Sequence, residues 1–213
     1  MRSPDASGGA AANWRLVCLL TLGAFAGLAV AAALSGPLPG DLGLRHDLLA
    51  DDHSLVVRIA RIVNEAGTWR VLLPATILLF LFFRAARRHW WLWCGLLVGS
   101  SLIEHAVKLL VERPRPSGFS SGFPSGHTTA AATFGVVVIY IATRAPLPPG
   151  GRLVLQAVAV AIVALVGWAR IVLHAHWPTD VLGGFLLGAG CAAAGAWWER
   201  TRGDAPGGAP ACR

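Results

Sequence analysis

The sequence predicts an all-α protein that crosses a membrane several times, with six transmembrane helices and an interfacial amphipathic helix between the first two. Three observations predict this fold. Hydrophobic residues make up 55% of the 213-residue chain, and the mean hydropathy is +0.59. Charged residues make up only 14%, against roughly 25% in soluble domains. The apolar residues also lie in runs whose length approaches the about 20 residues that a spanning helix needs.

The net charge of +7 does not indicate nucleic-acid binding. The basic residues form no stripe with interleaved aromatic residues, which is typical of such proteins. They cluster at the ends of apolar runs, as the positive-inside rule expects. We therefore predict no nucleic-acid partner. The four cysteines have no metal-like spacing, and three of them lie in apolar runs, which disfavours a disulfide framework.

The chain begins with a small and polar segment, residues 1–12, which predicts a disordered tail. The apolar run at 14–34 is either a cleaved signal peptide or an uncleaved first span, and its length favours the span. A cluster of glycine and proline at 36–40 then breaks the helical pattern.

A second pattern occupies residues 48–65, where apolar residues recur at helical spacing opposite charged residues. This pattern predicts an amphipathic helix in the membrane interface. Asp51 or Asp52 could cap its start, and Gly67 could end it. Residues 41–66 could form a lid over a site, or the helix could simply pack on its neighbours.

The remaining apolar runs predict five further spans, at residues 69–83, 89–111, 126–143, 153–173 and 181–198. Residues 201–213 predict a second disordered tail, so the membrane domain covers 13–200. A basic turn at 84–88 follows the second span, and the positive-inside rule places it in the cytoplasm with both termini. The polar loops at 112–125 and 174–180 then face outward on the same side and can share one site.

The first of these loops carries cations among small residues. Lys108 stands near the outer end of the third span, and Arg113 and Arg115 follow. Cations and free backbone N–H groups suit a tetrahedral anion such as phosphate. A lysine at membrane depth needs a partner, and Glu104 lies four residues earlier on the same helix face. A purely structural Glu104–Lys108 pair and a surface Arg115 are the alternatives.

The same loop ends with Pro124-Ser125-Gly126-His127, which opens the fourth span. Ser125 is a candidate N-cap, and the following N–H groups at a helix start attract phosphate. His127 can donate or accept a proton near neutral pH. The alternative is an ordinary capping motif with a solvated histidine.

The second loop carries Arg170, His174, His176 and Asp180. A carboxylate beside a histidine fixes the ring tautomer and leaves the far nitrogen free as a nucleophile. His174, His176 and Asp180 could alternatively bind a metal. We disfavour that reading because two arginines and a lysine would share the site and repel the ion.

These three segments resemble the signature of the type-2 phosphatidic acid phosphatase superfamily, which includes bacterial acid phosphatases and vanadium haloperoxidases. The matching patterns are Lys, six residues, Arg-Pro at 108–116; Pro-Ser-Gly-His at 124–127; and Arg, five residues, His, three residues, Asp at 170–180. Ala169 stands where the family usually has serine. The resemblance covers residues 108–180, and the six-span plan extends it over most of the chain.

The resemblance implies a role for each matching residue. His176 attacks phosphorus and becomes a phosphohistidine, Asp180 orients His176, and His127 protonates the leaving oxygen and then activates water. The phosphoryl oxygens are held by Lys108, Arg115, Arg170, Ser125 and the Gly126 N–H. No metal and no other cofactor is implied.

The implied function is a metal-independent, integral-membrane lipid phosphatase acting on a phosphoric ester or a diphosphate anhydride. Its partners are a lipid phosphate substrate and membrane lipids. We expect undecaprenyl diphosphate first, with phosphatidylglycerol phosphate and phosphatidic acid as further substrates. The expected location is the bacterial inner membrane, with the active site facing the periplasm or exterior. A lipid phosphotransferase using the same phosphohistidine and a non-catalytic membrane anion-binding or transport protein remain alternatives. The oligomeric state stays open.

Overall fold

A computed structural model describes residues 4–48, 55–118 and 121–203. Within these ranges the chain is all-helical and contains no β-strand. A short 3-10 turn, Glu65–Gly67, joins the third helix to the fourth. The helices are α1 (Pro4–Leu34), α2 (Asp41–Leu48), α3 (Leu55–Asn64), α4 (Trp69–Phe82), α5 (Arg84–Arg88), α6 (Trp90–Val111), α7 (Gly126–Arg144), α8 (Pro149–Val172) and α9 (Pro178–Gly203).

Five helical segments in the described chain are long and apolar enough to cross a membrane. They are Ala11–Leu34, Trp90–Val111, Gly126–Arg144, Pro149–Val172 and Pro178–Arg202. Leu55–Gly67 and Trp69–Phe82 pass the same test as a pair bent by 52°, and they make a sixth span if they cross together. The prediction of an all-α, multi-pass membrane protein is confirmed at this level. The predicted second span at 69–83 corresponds to α4, whose 14 residues make about 21 Å of helix against a membrane core of about 30 Å.

Both terminal helices extend into segments for which the sequence predicts tails. Residues 4–12 form the first part of α1, within the segment 1–12 for which the sequence predicts disorder. The alanines and the proline in the first turn favour this extension, whereas Gly8 and Gly9 disfavour it. At the other end α9 continues to Gly203, into the predicted tail at 201–213.

The structure describes only part of the predicted amphipathic helix. Its C-terminal part is α3, while α2 is a separate helix that ends at Leu48; Asp51 and Asp52 lie outside the described residues. In α3, Val57 and Ala60 are buried against Ala169 and Val172 of α8. The opposite side of α3 exposes apolar side chains, Leu55, Ile59 and Ile62 among them. The segment between the first two spans therefore packs over the end of α8.

The centre of the bundle is formed by α7 and α9, which bury more of their span residues than the other candidate spans. Gly188 of α9 lies directly against the α7 backbone at Thr129 and Thr133, where a Cβ has no room. The two helices begin at the same end, since the Ser125 N–H donates to the Asp180 carbonyl at 2.9 Å. This packing brings the second and third sequence motifs together.

Candidate active site

The three motif segments meet at one end of the bundle. His127 lies in the first turn of α7, Arg170 in the last turn of α8, and His176 just before α9. The charges of Arg170, Lys108 and Arg115 all act on His127, and His176 is within the same electrostatic reach. The two polar loops also touch directly, because the Trp177 indole N–H donates to the Pro114 carbonyl at 3.0 Å. The structure therefore brings together the residues that the sequence predicts for one anion site.

His176 and Asp180 form a buried pair, with exposed fractions of 2% and 0%. The Asp180 Oδ2 atom lies 3.5 Å from His176 Nδ1 and accepts the Trp177 backbone N–H at 2.9 Å. The contact with His176 is longer than an ordinary hydrogen bond of 2.7–3.2 Å. Nδ1 is nevertheless the ring nitrogen that faces the carboxylate, so Nε2 is the nitrogen that does not contact Asp180.

The environment of His176 favours its neutral form. Burial lowers the pKa of His176 below its ordinary 6.5, and the positive charges of Arg170 and Arg115 lower it further. Asp180 acts in the opposite direction and offsets only part of this effect. At neutral pH the imidazole is therefore unprotonated, which is the state that can act as a nucleophile.

Arg115 and Arg170 are the two arginines that the sequence predicts for the anion site, and they lie near each other. Arg115 lies close enough to Arg170 for their charges to repel. Arg170 is held by the Asn64 side-chain oxygen, which accepts from Nη1 at 2.6 Å. Within the described residues, the hydrogen bonds of the Arg115 side chain are long ones, at 3.3 and 3.4 Å, to the Ser121 carbonyl. An anion bound between the two guanidinium groups relieves the repulsion and supplies charge-assisted hydrogen bonds.

Lys108 forms the ion pair with Glu104 that the sequence raised as a structural alternative. Glu104 is 2% exposed, and its other oxygen lies 2.7 Å from His105 Nδ1. Because Lys108 also acts electrostatically on His127, the pair and the site are compatible. Glu104 holds the ammonium group at the edge of the cluster.

Ser125 occupies the N-cap position of α7 but does not cap it with its side chain. Its hydroxyl oxygen instead accepts from the Thr128 hydroxyl at 3.0 Å. Gly126 follows in close contact with α6, since a Cβ there would lie 2.8 Å from the Glu104 Oε1 atom. The residue after Ser125 must therefore be glycine for Glu104 and Lys108 to keep their positions.

We expect Gly126→Ala to lower turnover by about 10- to 100-fold, because displacing a positioning group by about 1 Å can cost that much. The added methyl group pushes on Glu104 and moves Lys108 with it. The measurement is the rate of phosphate release by the purified variant. Gly99→Ala is the matched control: it lies in α6 with nothing within 4 Å of an added Cβ. A folded Gly126→Ala protein with the control's rate would contradict the role given to this contact.

Two of the three residues raised as metal ligands, His174 and Asp180, contact arginine side chains in the structure. His174 Nδ1 lies 3.0 Å from Arg45 Nη2, and Asp180 Oδ1 accepts from Arg113 Nη1 at 2.6 Å. In the described part of the chain, no group of three or more His, Cys, Asp or Glu side chains is placed to hold a metal ion.

The sequence analysis gave Asp41 and Asn64 no role at the site, and it grouped Arg113 with the loop cations suited to a phosphate. Arg113 contacts both Asp180 and Asp41 at 2.6 Å, and Asn64 holds Arg170. The sequence indicated that Arg113 lies near the site, because this residue stands inside the first motif. Asp41 and Asn64 lie in the segment between the first two spans, which carries none of the motifs.

Known proteins resemble this chain over the region that contains the three motifs. The sequence model of the PAP2 superfamily matches residues 89–204. Phosphatidylglycerophosphatase B of Bacillus subtilis (strain 168) is 32% identical over 143 residues, which cover 59% of this chain and 66% of that protein. YbjG of Escherichia coli (strain K12), named as a candidate undecaprenyl-diphosphatase, is 32% identical over 103 residues. These residues cover 48% of this chain and 41% of YbjG. The matches thus span less than two thirds of the length of these relatives.

Two solved structures share the fold. A transmembrane PAP2-type phosphatidylglycerolphosphate phosphatase from Bacillus subtilis has a TM-score of 0.73 at 24% identity, covering 86% of this chain and 96% of that one. Aquifex aeolicus LpxE has a TM-score of 0.61 at 23% identity, covering 72% and 93%. Both structural matches extend well beyond the three motifs, so the likeness includes the helical frame that carries them.

Proposed function

The chain belongs to the PAP2 superfamily, and from that premise we propose that it is a membrane phosphatase that hydrolyses lipid phosphates or diphosphates through a phosphohistidine at His176. One observation carries the proposal. Two histidines and three cations from separate segments act on one another at a single end of the bundle. Such a cluster has an excess of positive charge, which a phosphate group is suited to offset.

In the first step the neutral His176 Nε2 attacks phosphorus and forms a P–N bond. The P–O bond to the lipid leaving group breaks, and His127 donates a proton to the departing oxygen. The negative charge of the bound phosphate favours the protonated form of His127 before this transfer. Lys108, Arg115 and Arg170 stabilise the charge on the non-bridging oxygens, which is the main task in phosphoryl transfer.

In the second step a water molecule attacks the phosphorus of the phosphohistidine. His127, now neutral, accepts a proton from that water, and the P–N bond breaks to release inorganic phosphate. His176 returns to its neutral form with Nδ1 still facing Asp180. Throughout the cycle Asp180 stabilises the positive charge that the ring carries while it is phosphorylated.

Ala169, which replaces the family serine, is fully buried among Val57, Ala60 and Val172. The missing hydroxyl removes one possible hydrogen bond, a net loss of about 0.5–1.5 kcal/mol. Asn64 supports the proposal that catalysis persists without it, because its side-chain oxygen accepts a hydrogen bond from Arg170 Nη1 at 2.6 Å.

An apolar groove in the structure supports the proposal that the substrate is a lipid. The groove has a volume of about 270 Å³ and is lined by α4, α7 and α8, including Leu72, Phe134 and Ile162. Its lining includes Ala66, and the neighbouring Gly67 abuts the His127 Cβ. We propose that the substrate tail lies in this groove while the phosphate enters the cation cluster.

Undecaprenyl diphosphate is the leading proposed substrate, with phosphatidylglycerol phosphate and phosphatidic acid as further ones. The names of the two relatives point to the first two of these lipids. The short link between Pro116 and Pro124 leaves little room for a headgroup clamp, which favours broad specificity. We further propose the bacterial inner membrane, with both termini and the basic helix α5 cytoplasmic and the site facing outward.

The test is phosphate release from a panel of detergent-solubilised lipid phosphates and diphosphates, with His176→Ala as the blank. We expect release from at least one lipid of the panel and none from the blank. Transfer of phosphate to an added lipid alcohol, in place of release, would favour a phosphotransferase. A panel without any turnover would contradict the proposal.

We expect a strong chelator to leave this activity intact, because the proposed site uses cations of the protein where other phosphoryl-transfer enzymes use a metal. The measurement is the rate before and after treatment with excess EDTA. Full loss of activity with recovery on addition of zinc would contradict metal independence and favour ligation at His174, His176 and Asp180.

A further inference from the structure

A buried row of alternating charges lies behind His176. Arg113 donates from Nη1 to Asp180 Oδ1 and from Nη2 to Asp41 Oδ2, both at 2.6 Å. All three side chains are 0–1% exposed. With Asp41 and Asp180 ionised and Arg113 protonated, the row carries a net charge of −1. Charges at this depth interact strongly because little water screens them.

Asp41 is also tied to the start of α9. Its Oδ1 atom accepts the Thr179 backbone N–H at 2.9 Å, and its Oδ2 atom accepts the Thr179 hydroxyl at 2.8 Å. The Leu38 N–H donates to the same carboxylate at 2.8 Å. The segment after the first span is therefore fixed to the residue that directly precedes Asp180.

Asp41 reduces the electrostatic effect of Arg113 on the His176–Asp180 pair. Arg113 alone would neutralise Asp180 and weaken its attraction for a positively charged His176. With Asp41 on its far side, the arginine is shared between two carboxylates, and the row keeps one negative charge. That charge stabilises the ring when the phosphoryl group is attached to it.

We propose that Arg113 and Asp41 are positioning residues for the His176–Asp180 pair. Arg113 fixes the Asp180 carboxylate, and Asp41 offsets the positive charge that Arg113 would otherwise impose on His176. This inference rests on the proposed function of His176 as nucleophile. The other groups that act on His176 are Arg170 from α8, Arg115 from the loop, and His127 from α7. These groups are unchanged in the variants below.

Asp41→Asn tests the charge with little change in shape. The row then has a net charge of 0, which disfavours a protonated or phosphorylated His176. We expect kcat to fall by about tenfold with a smaller change in KM, and the acid limb of kcat/KM to move to lower pH by about half a unit or more. Because kcat/KM reports the free enzyme and the substrate titrates identically for both proteins, the difference between the profiles isolates the enzyme group.

Asp41→Glu is the matched control, because it keeps the charge and alters the geometry. We expect its acid limb to stay at the wild-type pH even if kcat falls. The double variant Asp41→Asn/Arg113→Gln restores the net charge of −1, and its acid limb should return toward the wild-type position. A merely structural role for Asp41 would lower melting temperature and yield without moving the acid limb.

If Asp41→Asn does not fold, Arg113→Gln tests the same charge in the opposite direction. In this variant the row of Asp41, glutamine in place of Arg113, and Asp180 has a net charge of −2, so the acid limb of kcat/KM should move to higher pH. An acid limb that stays in place in whichever of these variants folds overturns the inference. The proposed function fails separately, if His176→Ala still releases phosphate, so the two failures are distinguishable.

Discussion

Replacing His176 with alanine is expected to reduce phosphate release by about 10⁴-fold or more, the scale seen when a catalytic nucleophile is removed. No other group in the proposed mechanism can form the covalent intermediate. The fold should survive, because in the described part of the chain the His176 ring forms no hydrogen bond of ordinary length, and its polar contact with Asp180 is 3.5 Å long. The measurements are turnover of the best lipid substrate and the thermal melting of the detergent-solubilised protein.

His46→Ala is the control for this variant, since the His46 side chain is 89% exposed and lies outside the cluster. It should retain the wild-type rate. Millimolar imidazole added to His176→Ala should restore part of the activity by entering the space left by the ring. Phosphate release at the normal rate from a folded His176→Ala protein would rule out the proposed intermediate.

Replacing His127 with alanine is expected to separate the two half-reactions. A lipid substrate has a poor leaving group that needs the acid, so its turnover should fall by about 10²- to 10⁴-fold. An aryl phosphate has a good leaving group and can still phosphorylate His176. Without a base for the water, the phosphoenzyme should accumulate, giving a burst of phenol close to one per protein.

The trapped phosphate can be identified by its chemistry, because a phosphohistidine is labile in acid and stable in base. The double variant His127→Ala/His176→Ala is the control and should show neither burst nor bound phosphate. A burst that persists in the double variant would place the phosphoryl group on another residue.

Much of the helical architecture can be predicted from local sequence. The apolar runs correspond to candidate spans because their length and composition are sufficient for crossing. The motifs begin or end those runs, so the starts of α7 and α9 and the end of α8 could be located without coordinates. The Glu104–Lys108 pair could also be anticipated, since residues four apart share a helix face.

The contacts of the N-terminal linker could not be predicted in the same way. Asp41 and Arg113 are 72 residues apart in the chain, and their pairing depends on how α2 packs against α8 and α9. From sequence alone, Asp41 resembles an ordinary acidic residue at a helix start, where the dipole favours it. The bend between α3 and α4 is another tertiary feature, because α3 is held by apolar contacts with α8.

The most direct test of the site is an experimental structure with vanadate bound, because vanadate adopts the geometry of phosphorus in transit. We expect vanadium bonded to His176 Nε2, its equatorial oxygens contacted by Lys108, Arg115 and Arg170, and His127 beside the oxygen opposite His176. Vanadate bound elsewhere, or bound with Arg115 and Arg170 unable to reach the same ion, would contradict the convergence of these residues on one phosphate.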